Sequence, residues 1–173
     1  QFLTEMAVDD MTRVQLETRA IRIILNSRRV SRSDLQAIPK SFTAIADVRY
    51  IDMFDDDLRV VPECINLLTG LRDLNLGYCK LNRDDSFPDT LWQLTGLEQL
   101  HLDGNNLTSI PSQIGQLSSL RILNLNVNNL VSLPDEIYQL TNLTELNLDF
   151  NKLESISEEI VKLTNLTRLW LYS

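Results

Sequence analysis

From residue 97 onward the chain repeats itself every 23 residues. Leu97-Glu98-Gln99-Leu100-His101-Leu102 returns as Leu120-Arg121-Ile122-Leu123-Asn124-Leu125. It returns again as Leu143-Thr144-Glu145-Leu146-Asn147-Leu148, and as Leu166-Thr167-Arg168-Leu169-Trp170-Leu171. A fixed period of this size argues against a globule with one central core. It predicts a solenoid in which each unit packs only on its neighbours. Chains of that kind work by presenting a surface rather than by enclosing a catalytic pocket.

The spacing within a unit shows how it folds. In Leu120-x-x-Leu123-x-Leu125 the last two leucines share one side of an extended strand, because strand side chains alternate. Leu120 enters the core from the preceding turn, and Leu130 turns inward after the strand. Leu133-Pro134 opens a return segment, where proline sets φ and ends strand pairing. Ile137 and Leu140 then point back at helix-like spacing. One unit cannot cover its own leucines, whereas stacked units can.

The template is L-x-x-L-x-L-x-x-N/C-x-L followed by L-P-x-x-I-x-x-L. Complete copies are predicted over 48–70, 71–96, 97–119, 120–142 and 143–165, and a sixth begins at 166 and stops after its strand. The N/C position reads Cys79, Asn105, Asn128 and Asn151. An amide there can bond to the backbone of the turn leaving the strand, so these residues are expected to form a structural ladder. The first copy has Asp56 at that position, within Asp55-Asp56-Asp57, which predicts a looser turn. The second copy carries its extra residues within 82–86, on an edge, where a tolerated bulge is preferred over a binding loop.

Upstream, Leu35, Ile38-Pro39, Phe42 and Ile45 match the second half of a unit. Leu25 and Val30 match the first half, with Arg28 in place of a core leucine. Residues 25–47 therefore read as a degenerate first repeat. Residues 1–24 carry Leu3, Ala7, Met11, Val14 and Ile21 at helical spacing and are predicted to form a helix capping the exposed end of the solenoid. A helical cap in place of paired cysteines fits a reducing compartment, so a cytoplasmic location is expected, with a secreted bacterial protein as the alternative. At the other end Leu166, Leu169 and Leu171 lie on an edge strand with no predicted cover, which allows self-association there.

Net charge is −8, unevenly placed: residues 48–173 carry −9 and residues 1–47 carry +1. An acidic solenoid argues against nucleic acid or anionic lipid as main ligand and favours a protein with a basic or mixed surface. The arginines at 19, 22, 28, 29 and 32 read as a solvated cap surface. No apolar run is long enough to span a membrane. Catalytic and cofactor signatures are absent. His101 has no adjacent nucleophile, there is no phosphate-binding glycine loop, and Asp55-Asp56-Asp57 lacks the spacing of a calcium loop. No cofactor or metal is expected. The three Asn-x-Thr sequons, at 106, 142 and 165, are products of the repeat itself.

The outward positions of the strands are the candidate site. They line up as one column of Asp52, Asn75, His101, Asn124, Asn147 and Trp170. A second holds Phe54, Gly77, Asp103, Asn126, Asp149 and Tyr172, and a third Asp55, Tyr78, Gly104, Val127 and Phe150. With parallel strands spaced about 4.8 Å apart, six of them give a face roughly 25 Å across, which suits a protein or peptide. The expected recognition residues are Tyr50, Asp52, Phe54, Asp73, Asn75, Tyr78, His101, Asp103, Asn124, Asn126, Asn147, Asp149, Phe150, Trp170 and Tyr172. Exposed aromatics beside polar groups resemble interface anchors. Trp92 and Tyr138, at one repeat position of the return segment, are expected to lie half covered on the outer side as a lesser second patch.

The repeat template resembles the leucine-rich repeat family in its 23-residue form. The resemblance implies an α/β solenoid with a curved parallel sheet on the concave face and short helical or 3-10 turns on the convex face. It is similar both to intracellular scaffolds that engage Ras-type GTPases or phosphatase subunits and to bacterial repeat proteins that act on hosts. It implies protein–protein interaction and transfers no catalytic residue. The alternative expectations are a sensor fragment of a larger signalling enzyme, or a secreted bacterial host-interaction or adhesion protein.

Overall fold

In the computed structural model, residues 48–83 and 85–172 are described. The expected capping helix, the degenerate first repeat and the arginine stretch lie outside the described residues. The remainder is a solenoid of short strands alternating with 3-10 turns. The strands are β1 (Tyr50–Asp52), β2 (Asp73–Asn75), β3 (Gln99–His101), β4 (Ile122–Asn124), β5 (Glu145–Asn147) and β6 (Arg168–Trp170). Between them run η1 (Glu63–Leu67), η2 (Asp89–Gln93), η3 (Ser112–Gln116), η4 (Asp135–Gln139) and η5 (Glu158–Lys162). The strands form one parallel sheet in chain order.

Register follows the repeat without a slip. Ile51, Leu74, Leu100, Leu123, Leu146 and Leu169 stand opposite one another across the sheet. The first five are fully buried. Each burial is worth about 1.5–3 kcal/mol, and none is available to a single repeat in isolation. The second core column, Met53, Leu76, Leu102, Leu125 and Leu148, is buried alongside.

Proline sets the other edge of each repeat. Pro62, Pro88, Pro111 and Pro134 precede η1 to η4 with φ between −63° and −70°, close to the ring's own value. The fifth repeat has Ser157 there instead, at φ −62°, and its hydroxyl accepts from the Glu159 N–H at 3.2 Å. A side-chain cap thus replaces a constrained ring.

Turns leaving the strands are closed by side chains of the following repeat. Asn105 Oδ1 accepts from the Cys79 and Leu81 N–H groups at 2.9 and 3.1 Å. Its Nδ2 donates to Leu76 O at 2.8 Å and to Leu102 O at 3.0 Å. Asn128 accepts likewise from Asn105 and Leu107, and Asn151 from Leu130. Cys79 donates its thiol to Met53 O at 3.0 Å. Each amide therefore joins two repeats as well as finishing its own turn.

The insertion in the second repeat is tied down. Ser86, fully buried, donates its hydroxyl to Arg59 O at 2.9 Å and accepts from the Arg83 N–H at 3.1 Å. Its carbonyl accepts from the Val61 N–H at 2.9 Å.

The outer side differs from expectation. Trp92 and Tyr138 are 1% and 4% exposed, so they belong to the core and offer no second patch. The Trp92 ring packs at a tilt on Phe87, centroids 5.7 Å apart. At the same repeat position Gly115 lets η4 approach closely: a Cβ there would stand 2.9 Å from both Cβ and O of Glu136.

Candidate protein-recognition face

Strand pairing brings the outward side chains into straight columns. Asp52, Asn75, His101, Asn124, Asn147 and Trp170 are register partners. So are Tyr50, Asp73, Gln99, Ile122, Glu145 and Arg168. The last four of that row were not singled out from the sequence, although they share the repeat offset of Tyr50 and Asp73 and the period alone identifies them. Arg168 and Glu145 form an ion pair at 2.7 Å across β5 and β6.

Part of the polar column serves the backbone. The Oδ1 atoms of Asp52, Asn75, Asn124 and Asn147 accept from the N–H two residues on, at 3.0, 3.1, 3.2 and 3.0 Å. These bonds fix the side chains at the ends of their strands. Asn124 Nδ2 also donates to Asp103 Oδ1 at 3.0 Å.

Two carboxylates of the face, Asp73 on β2 and Asp103 just past β3, are held in a partly dry setting. Burial pushes the Asp73 carboxyl above the ordinary carboxylate range; the nearby His101 opposes that shift and Asp52 adds to it. Asp73 Oδ1 lies 3.9 Å from His101 Nε2 and has no hydrogen-bond partner. Burial likewise raises Asp103, opposed by a backbone hydrogen bond and by His101. The Tyr50 phenol is raised by burial and then by the charge of Asp52. The Asp55–Asp57 run is a solvated turn, in which Asp57 pairs with Arg59 at 2.9 Å and Lys80 at 3.4 Å. Among the described residues no group of three or more His, Cys, Asp or Glu is arranged to hold a metal. No described helix is long and apolar enough to cross a membrane.

The third column has an unusual backbone. Asp55, Tyr78, Gly104, Val127 and Phe150 all have positive φ, from 52° to 66°. Backbone pairing continues into this column, which is why the conformation recurs. The Tyr78, Gly104, Val127 and Phe150 N–H groups donate to the carbonyls of Asp103, Asn126, Asp149 and Tyr172. The left-handed region costs a residue with a Cβ about 1–2 kcal/mol, and a β-branched valine is the least suited to it. Tyr78, Val127 and Phe150 are nevertheless bulky and exposed.

Aromatic pairs flank the face. Phe54 and Tyr78 lie 5.2 Å apart at a tilt, and Phe150 and Tyr172 lie 5.3 Å apart edge to face. Glycines seat the first pair. A Cβ on Gly77 would meet Phe54 Cδ2 at 2.9 Å, and one on Gly104 would meet the Tyr78 ring at 2.5 Å.

A strand per repeat, an amide ladder and an open face of columns define a repeat-built interaction solenoid. The family profile described as a leucine-rich repeat region matches residues 31–173, and the chain belongs to that family. Leucine-rich repeat regions are typically protein-interaction modules rather than enzymes. One of those structures is a leucine-rich repeat protein of Leptospira interrogans, 34% identical with a TM-score of 0.69, covering 83% of this chain and 34% of that one. Another is Listeria monocytogenes InlP, 27% identical with a TM-score of 0.62, covering 72% and 34%. The internalin InlF of the same organism, at 20% identity and a TM-score of 0.62, covers 90% and 44% and shows the fold alone. The chain spans less than half the length of each. None of the curated proteins compared matches it.

Proposed function

We propose that the chain recognises a protein with a basic or mixed surface through its concave face. The observation that carries this reading is the pairing of two features on one rigid sheet. Half-buried carboxylates stand at Asp73 on β2 and at Asp103 just past β3, and exposed aromatic pairs stand towards both ends. Aromatics supply contact area at little entropic cost, while partly desolvated acids select for cationic side chains and reject anionic ones. The remaining expected residues, among them Asp52, His101 and Trp170, complete the same columns.

The test is capture from lysate by the wild-type chain and by Asp103→Lys/Asp149→Lys/Phe150→Ala, with equal folding established by circular dichroism. A protein retained by the first and lost by the second supports the reading. Identical retention by both sinks it.

The bacterial origin of the similar structures favours a bacterial recognition protein over an intracellular scaffold of the Ras-associated type. Detection of the protein outside its source cells supports secretion, and retention inside them supports the cytoplasmic alternative.

A further inference from the structure

The third column combines two unfavourable choices at the same positions. A left-handed residue is cheapest as glycine, asparagine or aspartate, and Asp55 and Gly104 follow that rule. Tyr78, Val127 and Phe150 do not, and their side chains face solvent instead of core. Neither local backbone preference nor core burial accounts for apolar groups there. Strain of this kind persists where the surroundings over-determine it, and it concentrates at sites of function.

The surroundings do over-determine it. The Tyr78 and Val127 N–H groups donate across the sheet at 2.8 and 3.0 Å, and Phe150 does so at 2.6 Å. Phe54 lies against Gly77 and Tyr78 against Gly104, so neither of these rings can settle closer to the sheet. The row is therefore rigid before any partner arrives, which lowers the entropy lost on binding. Beside it, in the adjoining column, stand Asp103 and Asp149.

Building on the recognition-face reading above, we propose that Tyr78, Val127 and Phe150 form the anchor strip of the face. Its occupant is an extended segment of a partner protein, with two apolar side chains four residues apart and a Lys or Arg between them. The spacing follows from the sheet. Tyr78 and Phe150 are three strand steps apart, about 14 Å at 4.8 Å per step, and residues i and i+4 of an extended chain are about 13 Å apart. The basic residue follows from Asp103, which borders the strip between its two ends.

The experiment is selection of a random dodecapeptide library, displayed on phage, against the full chain. A selected peptide is then synthesised and titrated onto wild type, Val127→Asn/Phe150→Asn and Asp73→Asn/Asp103→Asn, with the melting temperature of each variant measured. Expected are peptides with the i, i+4 apolar pair and a basic residue between. Their affinity falls roughly tenfold or more on the strip variant. Val127→Asn alone melts no lower than wild type, because asparagine suits the left-handed position. Lost affinity without lost stability is a result that a purely structural role does not produce.

The proposal is overturned if no peptide is selected, if the strip variant binds as wild type does, or if Val127→Asn melts markedly lower. Selected peptides that bind as helices, or a dimer of the chain that the strip variant abolishes, also overturn it by naming a different occupant. Binding lost on Asp73→Asn/Asp103→Asn but kept on the strip variant leaves the recognition face standing and removes the strip. Binding unchanged on both removes both readings.

Discussion

Replacement of Asn105 by alanine is the sharpest test of how the repeats cohere. The side chain is fully buried. Its loss strands the Cys79 and Leu81 N–H groups and Leu76 O, none of which is replaced by another contact of Asn105's own repeat. Leu102 O keeps its bond from Asn128 Nδ2 at 3.0 Å. A buried polar group left without a partner costs about 1–3 kcal/mol, so three of them predict a loss of roughly 3–9 kcal/mol, reduced if water enters. That is a large part of the 5–15 kcal/mol typical of a domain. Urea denaturation reads the total, and hydrogen exchange at the Cys79 and Leu81 amides reads the site. Asn151→Ala serves as control: Asn151 is half-buried and its Oδ1 accepts from Leu130 alone, so a loss of about 1–2 kcal/mol is expected. A loss below about 1 kcal/mol for Asn105→Ala, with unchanged exchange at both amides, would refute the claim that the ladder couples the repeats.

Three further outcomes are expected. Asp73 and Asp103 have native pKa values raised by burial, so the folded state takes up protons before the unfolded one. Stability of the wild type relative to Asp73→Asn/Asp103→Asn should therefore rise as pH falls from the raised native values to the ordinary carboxylate value, and level off below it. A melting series across that window showing a fall instead contradicts the sign. Burial pushes the Cys79 thiol up to about 11, whereas Cys64 is only half-buried. Iodoacetamide at mildly alkaline pH should modify Cys64 first and reach Cys79 only on unfolding, as mass spectrometry of the labelled chain will show. Gly104→Ala places a Cβ 2.5 Å from the Tyr78 ring at φ +66° and should destabilise by about 1–2 kcal/mol or more, read by thermal melting; an unchanged melting point would show that the ring is free to move.

Much of this architecture was legible because a solenoid is built from local pattern and nearest neighbours. Leu100 and Leu102, repeated at a fixed interval as Leu123 and Leu125, specify a strand, its buried side and its pairing partner at once. The leucine pattern of each strand leaves no alternative register, since a one-residue slip would turn every leucine to solvent. The columns of the candidate face follow from the same arithmetic, and so do the positions of the amides at Asn105, Asn128 and Asn151.

Other features needed the stacked structure. Trp92 and Tyr138 are buried in the stack, where Phe87 packs on the Trp92 ring and Gly115 lets η4 come close to η3. The side chain at an outer position is covered or bare according to the size of residues one repeat away. The left-handed backbone at Tyr78, Val127 and Phe150 arises from cross-strand bonds that continue past the strands, which local preference would never assign to valine. The raised carboxyls of Asp73 and Asp103 depend on burial by neighbouring strands, and the Ser86 anchor depends on a carbonyl in the preceding repeat. Periodic position sets which way a residue faces, because that is a property of one repeat. How dry, strained or covered it becomes is settled between repeats, where side chains distant in sequence compete for the same space.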